Sequence, residues 1–331
     1  MNFDFGFRVD LGDKTGYGHF FRCISVAEKL VEKNYNVIFL TNIDTISSLL
    51  KKKNISIYTL ESKNEIDRIN ESRFILENIP KLIIDLPSQN EQYEKSFKNS
   101  CKTIVFDDLG NQKLFPDLLV NGSIVTEFQN YSFNDDSKNY LHGPNYIILR
   151  SEFELVRKQI VLQKTLKKIL LTFGGSDDEN LLTRIIPYFF DKQFQVTLVL
   201  GPSYQFENEL LKLLPKNHKF TIVHSENNMA ELFSKQDLVI SSSGFTTYEL
   251  ACIGIPSIFI PADESQMKNA VSMAESGFGT NYGYWDDDFT KLDEQISYLS
   301  DYSIRHKMFL SGRTLIDGKG LTRVLDAICK L

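Results

Sequence analysis

The chain has 331 residues, 42% of them hydrophobic, and a formal net charge of -6. That length carries one large core or two ordinary ones, and the acidic balance with scattered basic residues argues against a nucleic-acid-binding face while leaving room for a local phosphate pocket. No apolar run approaches the about 20 residues of a membrane helix, and the four separated cysteines, Cys23, Cys101, Cys252 and Cys329, form no CxxC pair, so neither zinc nor a disulfide framework is expected.

The opening MNFDFGFRVD is acidic and reads as a strand rather than a secretion signal, so a cytoplasmic protein is expected. Residues 3–9 alternate apolar and other side chains, as a strand does. After a glycine-bearing loop, Phe20, Phe21, Ile24, Ala27, Leu30 and Val31 recur at helical spacing, which makes both phenylalanines core candidates. NVIFL at 36–40 is a short buried-strand run. Strand, loop, helix, strand is a βαβ unit and implies a parallel sheet. KLIIDL (81–86), KTIVFDD (102–108) and DLLVNG (117–122) continue the series, and EFQNYSFNDDSKN (127–139) reads as an exposed loop. The polar stretch from about 139 to 164 is the expected boundary. A second series then opens with LKKILLTFGGSDDEN and supplies FQVTLVLG, KFTIVH, DLVISSS and IPSIFIPA as further strands. The expected architecture is α/β, with two Rossmann-like parallel-sheet domains facing a cleft. Their spans are 1–150 and 151–315, with a final helix over 316–331.

Ligands of such sheets sit beyond the carboxyl ends of the strands, and four stretches place chemistry there. DLGDKTGYGHFFR (10–22) sets Gly16, Tyr17 and Gly18 before His19 and Arg22. A helix start favours anions and a neutral imidazole, and a neutral imidazole can accept a proton. The same residues can equally form an ordinary turn. Asp10, close in sequence, could orient that imidazole or bind a substrate hydroxyl. In LLTFGGSDDEN, Gly174 and Gly175 follow an apolar strand, and Ser176 and Asp177 could cap the next helix. In SSSGFTTYELACIGIP, Ser243, Gly244 and Thr246 crowd a strand-to-helix turn, and Glu249 could accept both hydroxyls of a ribose. In QMKNA, Gln266 and Asn269 share a helix face and can read sugar hydroxyls or simply face solvent. Asp107 and Asp108 close a strand, as a functional pair or as a turn with a cap. The other histidines, His142, His218, His224 and His306, lack a partner at metal-ligand spacing.

Taken in order, GxGHxxR at 16–22, YLHGPNYIILRSEF, LLTFGGSDDEN, SxGxTxxE at 242–249, QMKNA and DGKGLTRV resemble the nucleotide-sugar hydrolases of pseudaminic acid biosynthesis over nearly the whole chain. More distantly they resemble the N-acetylglucosaminyltransferase of peptidoglycan synthesis. The resemblance implies a glycosyltransferase-B fold whose last helix returns to the N-terminal domain. It implies metal-free release of UDP from a 2,4-diacetamido-2,4,6-trideoxyhexose, with no cofactor, on the way to a surface glycan. It places the catalytic histidine at His19, with Asp10, Gly16, Tyr17, Gly18, Arg22, Gln266 and Asn269 on the sugar side. Gly174, Gly175, Ser176, Ser243, Gly244, Thr246 and Glu249 would lie around the nucleotide. Extra material is expected near 61–80 and 120–140. The alternatives are a UDP-sugar-dependent glycosyltransferase and a non-catalytic nucleotide-sugar binder. The expected partner is the small-molecule substrate, with no nucleic acid and no membrane segment; protein partners stay open.

Overall fold

The computed structural model describes residues 2–10, 18–43, 46–131, 139–215, 219–224 and 228–331. They divide into two compact units, residues 1–150 with 319–331 and residues 151–318. No helix among the described residues is long and apolar enough to cross a membrane.

The first unit is built on seven parallel strands: β1 (Phe5–Val9), β2 (Val37–Thr41), β3 (Ser56–Thr59), β4 (Lys81–Asp85), β5 (Lys102–Phe106), β6 (Leu118–Asn121) and β7 (Tyr140–His142). Their spatial order is β3-β2-β1-β4-β5-β6-β7. The chain therefore works outward from β1 in one direction, then restarts beside β1 with β4, and the gap between β1 and β4 is the switch point of the sheet. All five residues of β1 are buried, because helices cover both faces of a parallel sheet; this is why such strands read as apolar runs. On one face the Gly18–Glu32 helix lays Phe20, Cys23, Ile24, Ala27 and Leu30 against Phe7 and Phe39. Phe7 and Phe39 stack with ring centroids 4.7 Å apart. The Gly320–Lys330 helix joins the same core through Leu321, Val324, Leu325 and Ile328. Each such aliphatic or aromatic side chain contributes roughly 1.5–3 kcal/mol of burial free energy. The opposite face packs Leu82, Ile84, Tyr93, Phe97 and Leu119.

The second unit carries six parallel strands: β8 (Lys168–Thr172), β9 (Gln195–Leu200), β10 (Phe220–His224), β11 (Leu238–Ser241), β12 (Ser257–Phe259) and β13 (Thr280–Asn281). Their order is β10-β9-β8-β11-β12-β13, so the switch point falls between β8 and β11. Two arginines, the buried Arg305 and the half-buried Arg157, fasten the unit's entry and exit segments. Arg305 donates to the carbonyls of Gln163 and Lys164. Arg157 donates to those of Cys252, Arg313 and Ile316.

Phe20 is core, as its spacing predicts, but Phe21 is 37% exposed and lies under the Arg150 guanidinium. The expected loop at 127–139 begins as a short 3-10 turn, Thr126–Gln129, and its residues 132–138 lie outside the described residues.

Candidate functional site

In the first unit, charged side chains gather beyond the carboxyl ends of β1, β4 and β5, at the switch point. The helix that follows β1 starts at Gly18, which puts His19 and Arg22 one turn apart on its first turns. Asp85 is the last residue of β4, and Asp107 and Asp108 follow β5 directly. Gly16 and Tyr17 lie outside the described residues.

Asp85 is fully buried and is the hub. The Arg22 side chain grips it with two parallel bonds, Nε to Oδ2 and an η-nitrogen to Oδ1, each 2.6 Å. The buried Cys23 thiol donates to Oδ2 at 3.3 Å. His19 Nδ1 lies 2.7 Å from Oδ1. Burial by itself would raise the Asp85 carboxyl, but the Arg22 guanidinium and then the His19 ring outweigh it and hold it well below the usual carboxylate range. An ionised carboxylate only accepts hydrogen bonds. The Nδ1 nitrogen must therefore carry the hydrogen, and the Arg22 η-nitrogen 3.0 Å from it is a close neighbour rather than its donor. Neutral His19 then has a bare Nε2, the form a general base requires.

Asp107 and Asp108 divide the two roles the sequence left open. Asp107 is buried and closes the turn, accepting from the Gly110 N–H at 2.8 Å and from the Tyr131 hydroxyl. Asp108 faces outward, with Oδ1 held by Arg22 at 2.6 Å and Oδ2 lying 3.9 Å from His19 Nε2. Asp10 does not orient the imidazole. It points back along β1 and makes a two-bond pair with Arg8, at 2.5 and 2.9 Å, because that wholly buried guanidinium needs a counter-charge two residues away on the same strand face. The orienting carboxylate is Asp85, which local sequence reasoning missed.

In the second unit, the loops after β8 and β11 meet at the other switch point. Gly174 has φ +83°, a left-handed conformation that glycine adopts without strain. A Cβ there would lie 4.0 Å from Ser242 Oγ of the neighbouring loop. Gly201, at the end of β9, presses on the same loop: a Cβ would stand 2.4 and 2.3 Å from the carbonyl oxygens of Gly174 and Gly175. Asp177, not Ser176, caps the following helix, accepting the backbone N–H groups of Leu181 and Leu182 at 2.8 and 3.0 Å. Burial pushes its carboxyl up to about 7.

The loop after β11 runs Ser242, Ser243, Gly244 into the Thr246–Ile253 helix. Apart from Gly244 and its two chain neighbours, no atom of the described residues lies within 4 Å of where a Gly244 Cβ would stand, so the backbone there is open to a ligand. Thr246 begins the helix and Glu249 lies one turn in, 8% exposed rather than solvated. Ser243 and the Glu264–Glu275 helix are stitched together. The Ser243 hydroxyl donates to the Gln266 carbonyl at 2.8 Å, and the Gln266 side-chain oxygen accepts the N–H groups of Ser243 and Ala262 at 3.3 and 3.2 Å. Asn269 is committed inside the unit. Its amide donates to the Ser243 carbonyl at 2.7 Å and to Thr247 Oγ1 at 3.0 Å, and its oxygen accepts from the Tyr248 hydroxyl at 2.9 Å. These bonds make Asn269 a brace for the glycine turn. Among the described residues no group of three or more His, Cys, Asp or Glu is arranged to hold a metal ion.

Two parallel Rossmann-like sheets, each with a loop cluster at its switch point, define a glycosyltransferase-B fold. Superposition on Acinetobacter baumannii MurG agrees, with a TM-score of 0.71 at 16% identity over 99% of this chain and 100% of that one. Residues 169–307 match the glycosyltransferase family 28 C-terminal domain. Two relatives extend further along the chain. The uncharacterized protein MJ1062 of Methanocaldococcus jannaschii is 34% identical over 271 residues, 76% of this chain and 54% of its own length, so the chain spans about half of that relative. The spore coat polysaccharide biosynthesis protein SpsG of Bacillus subtilis is 26% identical over 335 residues, 96% of each.

Proposed function

We propose that the protein moves a glycosyl group off a nucleoside diphosphate, with His19 as the general base. The observation that carries this is the His19–Asp85–Arg22 arrangement, which fixes the imidazole as an Nε2 acceptor at the switch point of its sheet. The Nε2 takes a proton from a hydroxyl as that oxygen bonds to the anomeric carbon. The bond from that carbon to the phosphate oxygen breaks, and its electron pair leaves with the diphosphate. The second unit supplies the diphosphate cradle through Gly174, Gly175, Ser243, Gly244 and the Thr246 helix start, whose N–H groups stabilise the departing charge. Glu249 accepts the ribose hydroxyls of a uridine diphosphate.

The match to a glycosyltransferase domain favours a hydroxyl acceptor, hence a transferase. A second reading has water as the acceptor and a UDP-linked 2,4-diacetamido-2,4,6-trideoxyhexose as the substrate. It is supported by the motif order from GxGHxxR to DGKGLTRV. The product of either reaction suits surface-glycan synthesis, as the name of the Bacillus relative suggests. Incubating the chain with that UDP-sugar and with UDP-N-acetylglucosamine, with and without sugar or polyprenyl acceptors, separates the readings. UDP released only with acceptor means transfer, and UDP released in water alone means hydrolysis. UDP bound without any release in either condition means a binding protein and ends the catalytic proposal. Glu249→Ala serves as the nucleotide control, with weaker UDP binding by calorimetry expected.

A further inference from the structure

We propose that Asp108 is a second acceptor for the nucleophile and that it biases the site toward a nucleophile carrying two hydrogens. This rests on the reading of His19 as base and takes the second of the two readings above, with water as the acceptor. Among the described residues Asp108 is anchored on one side only. Its Oδ1 takes a 2.6 Å bond from Arg22, so the carboxylate is turned with Oδ2 toward the ring, 3.9 Å from His19 Nε2. That separation is too long for a direct hydrogen bond, and a direct bond would have disabled the base. It is the right span for one oxygen atom to touch both groups. An oxygen about 2.8 Å from each acceptor sees them at roughly 90°, a little inside the angle between the two O–H bonds of water. The Asp108 side chain is 37% exposed and that of His19 20%, so the place is reachable.

Two acceptors converging on one oxygen ask for two hydrogens. Water satisfies both: one proton passes to Nε2 during attack, while the other stays on the oxygen, bonded to Asp108. An alcohol has one hydrogen. Once that is aimed at Nε2, its oxygen meets the Asp108 carboxylate lone pairs with nothing between them. The two carboxylates around His19 therefore act differently. Asp85 fixes the ring from behind, and Asp108 orients the nucleophile from the front.

The test follows products from UDP-2,4-diacetamido-2,4,6-trideoxyhexose in water containing methanol, comparing the free sugar with the methyl glycoside. The wild type is expected to give mainly free sugar. Asp108→Asn, which retains an oxygen for Arg22 and removes the second acceptor, should lower attack by water between about tenfold and a hundredfold. It should also raise the share of methyl glycoside. Asp108→Ala should shift the share the same way, with circular dichroism and UDP affinity checking that each variant is folded. An unchanged product ratio in both folded variants overturns the role of Asp108. So does a wild type that requires a hydroxyl acceptor and gives no free sugar. In both cases a dead His19→Ala leaves the base reading intact. A His19→Ala protein that keeps wild-type rates removes that reading, and this one with it.

Discussion

A carboxylate with no solvent exposure is tolerated only when its charge is answered nearby. Asp85 meets that condition with Arg22, His19 and Cys23 arranged around its two oxygens. The same bonds that stabilise the charge also choose the imidazole tautomer, so stability and chemistry share one residue. Asp85→Asn tests this. The amide has nearly the same shape but can present an N–H to Nδ1, which would move the ring hydrogen to Nε2 and remove the base. Turnover should fall by about 10²–10⁴ while UDP affinity is unchanged; unchanged turnover would detach Asp85 from the chemistry. The pH dependence has a definite sign. The Asp85 carboxyl is lowered in the folded chain, so its stabilising contribution is present above the ordinary value of about 4 and is lost as pH falls toward the lowered one. Acid unfolding followed by circular dichroism should show this loss in the wild type and a flatter acid limb in Asp85→Asn. His19 and Arg22 were legible in the sequence because a glycine loop and three residues of helix hold them together. Asp85 was not, because it stands 66 residues from His19 and reaches it only through the pairing of β1 with β4. Its one local signal is an acidic residue closing an apolar strand, a signal shared with Asp10 and Asp107, which do other work.

The loops at the second switch point owe their shape to tight backbone approach rather than to side chains. Gly201 follows β9 whereas Gly174 and Gly175 follow β8, yet it sets how close the end of β9 can come to them. Gly201→Ala would drive a methyl group into two carbonyl oxygens, and the loop has to move. UDP affinity should drop tenfold or more, measured by calorimetry, with a loss of unit stability alongside. Unchanged affinity would mean that this loop does not cradle the diphosphate. The double glycine was visible in the sequence as an oddity after an apolar strand, but its partner Gly201 was indistinguishable from an ordinary strand-end glycine. Asn269 shows the opposite limit. Its spacing from Gln266 put both amides on one helix face, and spacing says nothing about which donors a buried amide will find. Three hydrogen bonds within the unit use it as a brace.

Across the whole molecule, two successive rounds of strand, glycine turn and helix were readable because central parallel strands are buried on both faces and so are continuously apolar. β3, β7 and β13 escaped that reading. They lie at or near the edges of their sheets, run four, three and two residues, and are only partly buried. The unit boundary at 150 and 151 lies within the polar stretch expected to divide the halves, and the last 13 residues pack with the first unit. That final helix is part of the first unit's core, with Val324 and Ile328 fully buried. Ile328→Ala should therefore destabilise the first unit by about 2–5 kcal/mol in urea unfolding. A smaller loss than Ile→Val changes give elsewhere would mean the helix is a loose appendage. The most direct test of the central claim is the rate of UDP release by His19→Ala at saturating UDP-sugar. With His19 as the base, the rate falls by about 10²–10⁴ and UDP still binds. A rate equal to that of the wild type contradicts the account.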